Sequence, residues 1–135
     1  MKKVLIAYSK DEKMLDIVDG LKAGFEEQGV KVDREVISKN SAKIYFGRYD
    51  LVMVGSLNLG LFGGKIDSKI DLFLQNAKMT TGQDVVAFVQ ERFWGKSKAL
   101  KILMNKLESL GCVVKDFREL SDKEAGQRYA KGFKL

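Results

Sequence analysis

Side chains that commonly perform catalysis are scarce in this chain. Its 135 residues include no His and a single Cys, Cys112. Without His, a Ser-His-Asp triad, a Cys-His nucleophile pair and the common His-containing zinc sites are all excluded. Cys112 follows Gly111 at the predicted end of a helix, with no adjacent cation to lower the pKa of its thiol, so we predict a small buried residue. Any catalysis is therefore expected to depend on a bound cofactor.

The remaining polar candidates lie in three segments, each of which follows a short apolar run. The segments are 9–13, 56–65 and 90–96, and the runs before them are 4–8, 51–54 and 85–89. Uninterrupted apolar runs of this length are typical of strands buried on both faces of a parallel sheet. Because ligands of such sheets bind beyond the carboxyl ends of the strands, we expect these three segments to form the binding region.

Helical patterns separate the apolar runs and complete the predicted fold. In the first helix, one face carries the apolar residues Met14, Ile17, Val18, Leu21 and Phe25. Two further strands, at 30–37 and 112–117, interleave charged residues and are expected at the sheet edges. Right-handed crossovers then leave one arrangement, a three-layer, doubly wound α/β fold with five parallel strands in the order 2-1-3-4-5. Residues 1–135 are expected to form one domain.

Local signals also predict where individual helices begin. Ser9 with Glu12, and Ser121 with Glu124, have the spacing of a capping box, in which each side chain satisfies a backbone N–H near the helix start. The segment 41–46 is long enough only for a short helix or a turn.

The charge balance indicates the kind of partner and the compartment. The chain has 24 Lys and Arg against 18 Asp and Glu, a formal net charge of +6. This excess favours anionic partners. A nucleic-acid partner has no motif, basic run or aromatic platform to support it and is not expected. The apolar run 4–8 is too short for a signal peptide or a membrane span, so we expect a soluble cytoplasmic protein that does not enter the membrane.

The clearest sequence motif surrounds the third predicted strand. Residues 49–56 form a strand that ends in Gly-Ser, and the loop after it contains three glycines, Gly60, Gly63 and Gly64. This arrangement resembles the third strand and the flavin loop of the flavodoxin family. Residues 3–9 are similar to the first strand of that family, and 93–114 are similar to its fourth loop, fourth helix and fifth strand. The resemblance covers nearly the whole chain and implies a flavodoxin-like fold.

The resemblance also implies a non-covalently bound FMN, used for electron transfer or in an oxidoreductase, with a redox partner protein. By position, one side of the isoalloxazine ring would be lined by Ser56, Leu57, Asn58, Leu59 and Gly60. The other side would be lined by Gln90, Phe93, Trp94 and Gly95. The phosphate would lie at the first loop, near Ser9, Lys10 and Lys13. An alternative for Phe93 and Trp94 is that they only cover the open end of the sheet.

The first loop departs from the family pattern, which has a Ser/Thr-x-Thr-Gly-Asn-Thr stretch at this position. Here the loop is shorter, lacks Thr, Gly and Asn, and places Asp11 and Glu12 where a phosphate would bind. The basic net charge is a second departure, because flavodoxins tend to be acidic. The alternative function is therefore a flavodoxin-like domain that has lost FMN and binds an anionic ligand or an acidic partner through basic residues at this edge, namely Lys10, Lys13, Lys65, Arg92 and Lys96.

Overall fold

Strands and helices alternate along the chain in the predicted order. The computed structural model describes residues 1–40, 42–60, 62–92 and 96–135, without the side chains of residues 96 and 97. The strands are β1 (Lys3–Tyr8), β2 (Lys31–Val36), β3 (Ile44–Tyr45), β4 (Leu51–Ser56), β5 (Ala77–Lys78), β6 (Asp84–Gln90) and β7 (Val113–Leu120). The helices are α1 (Glu12–Glu26), α2 (Lys69–Gln75), α3 (Lys96–Ser109) and α4 (Lys123–Gly132), and a 3-10 turn covers Phe46–Arg48.

The main sheet has five parallel strands in the order β2-β1-β4-β6-β7. The two short strands β3 and β5 form a separate sheet, so the five predicted strands correspond in chain order to β1, β2, β4, β6 and β7. The predicted order 2-1-3-4-5 is therefore confirmed. The apolar side chains of α1 and α4 pack on one face of the sheet, and those of α2 and α3 pack on the other. The strands with uninterrupted apolar runs are central, whereas the strands with interleaved charges are at the edges, as expected from the burial of both faces of a central strand.

The start of α1 differs from the prediction. The N-cap is Asp11, whose carboxylate accepts a hydrogen bond from the Met14 N–H, so the predicted Ser9–Glu12 capping box is wrong. Ser9 is not available as the cap because its own N–H donates to the Gly55 carbonyl at 3.0 Å and continues the pairing of β1 with β4. Aspartate caps a helix as well as serine does, and its charge also interacts favourably with the helix dipole.

The start of α4 differs in the same way. Its N-cap is Asp122, which accepts from the Ala125 N–H at 2.8 Å, so the predicted capping box of Ser121 and Glu124 is also wrong.

The segment predicted as a short helix or turn at 41–46 instead contains β3, which pairs in parallel with β5, and the 3-10 turn begins only at Phe46. Residue 41 lies outside the described part of the chain. Two-residue strands are too short to produce a recognisable apolar alternation.

Glycines bring the backbones of α1 and α4 into direct contact. A Cβ atom on Gly20 would overlap the carbonyl oxygen of Lys123, and one on Gly126 would lie 2.5 Å from the Ile17 carbonyl oxygen. Glycine inside a helix costs roughly 1 kcal/mol relative to alanine, so packing has to offset that cost. The glycines therefore set the distance between α1 and α4.

In the described residues, no helix combines the length and the apolar character that spanning a lipid bilayer requires.

Gly20→Ala tests this close helix contact. We expect it to lower the free energy of unfolding by roughly 3 kcal/mol, because the added methyl group meets rigid backbone. Gly132→Ala is the matched control, since a Cβ atom on Gly132 has no heavy atom within 4 Å, and this variant should be neutral or stabilised by up to about 1 kcal/mol. Urea unfolding followed by circular dichroism measures both. Equal stabilities for the two variants would contradict the proposed packing.

Candidate functional site

The described parts of the three predicted loops meet at the carboxyl edge of the sheet. Tyr8 at the end of β1 is in register with Gly55 of β4, and Gly55 is in register with Phe88 of β6. The chain leaves β1 toward the α1 face and leaves β4 toward the α2 face, which makes this the switch point of the doubly wound sheet. Such a point opens a crevice between the loops and is the usual ligand site of this architecture.

Ser9 is the most buried polar residue of the first loop. Its side chain has 0 % exposure, and its Oγ atom has no hydrogen-bond partner in the part of the chain that the structure describes. Leaving a buried hydroxyl unpaired costs about 1–3 kcal/mol, so such groups are rare in folded proteins and call for an explanation. At the switch point, this hydroxyl is a hydrogen-bonding group that the described part of the chain leaves unused.

Asp11 connects the first loop to the end of β6. Its Oδ2 atom accepts from the Met14 N–H at 3.4 Å and from the Gln90 side-chain amide at 2.6 Å. The N-terminus of α1 therefore already faces a carboxylate, and Gln90 holds that carboxylate in place. Lys10 and Lys13, the predicted phosphate contacts, are exposed on either side of Asp11. Neither the Asp11 cap nor its contact with Gln90 was predicted from the sequence.

The polar side chains of the second loop mostly support the loop itself. Ser56 Oγ donates to the Leu57 carbonyl at 2.8 Å and accepts from the Asp67 N–H at 3.0 Å. Asn58 is only 2 % exposed, and its Oδ1 atom accepts from the Gly64 N–H at 2.6 Å. These bonds hold the loop in a defined shape, so Ser56 and Asn58 act on any ligand through the backbone they position.

Arg92 joins the second loop to the third. One terminal nitrogen of its guanidinium donates to the carbonyl oxygens of Asn58 and Gly60, both at 2.8 Å. The two loops that the resemblance places on opposite sides of a flavin ring are therefore bonded directly to each other. The sequence predicts Arg92 only as part of a basic rim. Its two carbonyl contacts are distant in sequence and have no local signal. Phe93, Trp94 and Gly95 lie outside the described residues, so their predicted role stays a prediction.

Apolar side chains are exposed at the same edge. Leu59 is 40 % exposed, and Phe62 in the same loop is 70 % exposed, while Leu57 is half-buried. Leu59 pairs with Lys65 in a short antiparallel bridge, which fixes the shape of this part of the loop. A planar apolar ligand or a partner protein could cover such a surface. Phe62 was not predicted as a site residue.

Charges of both signs surround the site. The basic side chains are Lys10, Lys13, Lys65 and Arg92, and the acidic ones are Asp11, Glu12, Asp67 and Glu91. Asp67 is almost fully buried, and its Oδ1 atom accepts from the Lys69 N–H at 3.0 Å, so this carboxylate is hydrogen-bonded within the chain itself. The mixed signs mean that the net charge of the chain is not concentrated on one anion-binding point.

The thiol of Cys112 does not belong to this edge. Cys112 is buried under the core on the α3 side, and its burial raises the pKa of the thiol to about 11. A protonated thiol at neutral pH is a poor nucleophile. The predicted role of Cys112 as a small buried residue is therefore confirmed.

Comparison with known proteins adds a structural relationship. No protein-family model matches the chain, and no curated protein gives a significant match. Oxidised flavodoxin 2 from Bacillus cereus superposes with a TM-score of 0.74 and 21% identity, covering 95% of this chain and 94% of that one. The chain has the flavodoxin fold. Two more flavodoxins agree, flavodoxin 1 of Bacillus cereus (TM-score 0.70, 19% identity, 96% and 95% covered) and the two-electron reduced protein of Megasphaera elsdenii (0.68, 16%, 96% and 99%).

The resemblance to flavodoxins implies FMN, and the two ends of that cofactor suit the residues at this edge to different degrees. The ring end matches the chemistry present, because the exposed side chains of Leu59 and Phe62 in the second loop are apolar. The phosphate end does not match, because the carboxylate of Asp11 already caps α1 and Glu12 adds a second charge in the first turn. The site therefore suits an isoalloxazine better than it suits a phosphate.

Arg92→Met tests the connection between the two loops. We expect a loss of about 1.4 kcal/mol of local stability, hence roughly tenfold faster amide exchange at Gly63, Gly64 and Lys65, because both charged hydrogen bonds are lost at a partly exposed position. Hydrogen exchange followed by NMR measures this.

The matched control for that variant is Arg128→Met. Arg128 lies on α4, and its ion pair with Glu124 spans 4.0 Å between side chains that are 73% and 84% exposed, so its removal should leave exchange in the second loop unchanged. Exchange in Arg92→Met that matches the control would show that Arg92 does not hold the loops together.

Proposed function

We propose that this chain is a flavodoxin-like redox protein that binds a flavin non-covalently at the carboxyl edge of its sheet and exchanges electrons with a redox partner protein. The observation that carries the proposal is the buried Ser9 hydroxyl, which has no hydrogen-bond partner in the described ranges and lies at the switch point. The exposed apolar side chains of Leu59 and Phe62, in the loop after β4, give further support.

The roles of the chain in this function are binding, orientation and the exclusion of water. A bound flavin supplies the electron-transfer chemistry, which suits a chain that has no His and one buried thiol. Leu57 and Leu59 contribute apolar contact to the ring, and Ser9 contributes a hydrogen bond to a polar atom of the ligand. By the resemblance, Gln90 and Phe93 would line the other side of the ring.

The redox partner is expected to present an acidic surface. The chain has a formal charge of +6, and Lys10, Lys13 and Lys65 are exposed around the candidate site. Opposite charges speed the encounter of two proteins and help to select the correct partner. The similar flavodoxins described above include oxidised and two-electron reduced forms, which supports a redox role for this fold.

Ser9→Ala tests the flavin site through two opposite effects. We expect the ligand-free protein to gain about 1 kcal/mol of stability, because an unpaired buried hydroxyl is removed, whereas flavin affinity should fall about fivefold to tenfold with the lost hydrogen bond. Thermal unfolding measures the first effect, and quenching of flavin fluorescence on titration measures the second.

Ser109→Ala is the matched control, because Ser109 lies at the end of α3 and its hydroxyl already donates to the Lys106 carbonyl. Flavin affinity should not change in this variant. A wild-type protein that is colourless and does not quench flavin fluorescence at tens of micromolar would contradict the proposed function.

A second candidate function is a domain that has lost the flavin and binds an acidic partner through the same rim. The bonds from Arg92 to Asn58 and Gly60, which join the loops on either side of the ring position, favour it. In that case, reversing the charges of Lys10 and Lys13 should weaken binding of polyglutamate, a probe for acidic partners, at low salt. Unchanged binding would exclude the rim as the docking surface.

A further inference from the structure

The first loop carries an anion of its own at the position where the fold would receive a phosphate. Asp11 Oδ2 accepts from the Met14 N–H, and the Asp11 carbonyl accepts from the Leu15 N–H at 2.8 Å. The Ser9 N–H is bonded to the Gly55 carbonyl at 3.0 Å. Three of the backbone amides around this turn are therefore committed to the chain itself.

The carboxylate of Asp11 is also fixed from a second direction. The Gln90 amide donates to the same oxygen at 2.6 Å from the end of β6, which keeps the partly buried carboxylate at the switch point. Glu12 follows as an acidic residue in the first turn of α1. The exposed Lys10 and Lys13 oppose these charges only through solvent, where screening weakens them.

Riboflavin and FMN share the isoalloxazine ring and differ at the end of the ribityl chain. Riboflavin ends in a hydroxyl, which can donate a hydrogen bond, whereas FMN ends in a phosphate that is largely dianionic at neutral pH and accepts only. An ionised carboxylate also accepts only, so Asp11 is complementary to the hydroxyl and repels the phosphate.

We infer that this site selects a phosphate-free flavin, riboflavin rather than FMN, and that Asp11 is the residue that determines this specificity. The inference rests on the proposed function, since it requires the isoalloxazine to bind at this edge. The unpaired, fully buried Ser9 hydroxyl, two residues before Asp11, is the independent sign in the described residues that a ligand contacts this loop. Selectivity then comes from matching a donor to an acceptor and from charge repulsion.

Parallel titrations with riboflavin and FMN at low ionic strength test the inference by flavin fluorescence quenching. For the wild-type protein we expect riboflavin to bind at least fivefold more tightly than FMN. Asp11→Asn should strengthen FMN binding about tenfold and change riboflavin binding less than threefold. Asparagine caps helices as well as aspartate does, so this variant should keep its fold, which thermal unfolding verifies.

Asp122→Asn is the matched control. Asp122 caps α4 in the same geometry, accepting from the Ala125 N–H, and α4 follows the outer strand β7 rather than β1. The substitution makes the same change in net charge, and it should leave the dissociation constants of both flavins unchanged. A similar gain in FMN affinity in this control would attribute the effect to overall charge and overturn the role of Asp11.

The possible outcomes separate the inference from the proposed function. Tighter binding of FMN than of riboflavin by the wild-type protein, or equal shifts for both flavins in Asp11→Asn, would overturn the inference and leave the flavin site in place. Absence of binding for both flavins at tens of micromolar, in the wild-type protein and in Asp11→Asn, would reject the proposed function and the inference with it.

Discussion

The pairing of β1 with β4 is the constraint on which the site depends. This parallel ladder runs to the pair Tyr8 and Gly55 and is extended by the bond from the Ser9 N–H to the Gly55 carbonyl. Gly55 has to be glycine, because a Cβ atom there would overlap the ring of Phe88 on β6. Gly55 therefore leaves room for the Phe88 ring where β4 pairs with both β1 and β6. The pairing of β1 with β4 also places the loop after β1 directly against the loop after β4, where the chain turns toward opposite faces of the sheet.

A second constraint fixes the helix that carries the anionic cap. The α1 helix is held against α4 at backbone distance through Gly20 and Gly126, and its apolar face is fully buried. A helix packed this closely cannot shift along its axis without steric overlap. Its N-terminus, and with it Asp11, is therefore held at the sheet edge, where Gln90 can reach it. In this way, the packing of α1 against α4 fixes the position of the Asp11 charge at the site.

The fold could be predicted from the sequence because the apolar and charged residues of each strand indicate whether one or both of its faces are buried. Continuous apolar runs indicate the central strands, and interleaved charges indicate the edges. The helix starts could not be predicted in the same way, since Ser9 and Asp11 both suit an N-cap and only the strand pairing of Ser9 decides between them. The contact between Asp11 and Gln90 joins residues 79 positions apart, so local periodicity carries no information on it. The sequence predicted which loops lie at the carboxyl edge of the sheet, but it could not indicate that Arg92 would connect two of them.

In the first loop, the Asp11 carboxylate and the Ser9 hydroxyl have opposite effects on the stability of the ligand-free protein. The Asp11 cap satisfies a helix amide and stabilises the fold whether or not a ligand is present. The buried Ser9 hydroxyl destabilises the ligand-free protein, because it has no partner within the described residues. Residues retained at a cost in stability are more often linked to ligands than residues that contribute to it. A loop that supplies its own anion and keeps an unpaired hydroxyl is thus suited to a ligand held by neutral hydrogen bonds. The net charge of +6 then acts at longer range, on the approach of a partner protein rather than on a bound phosphate.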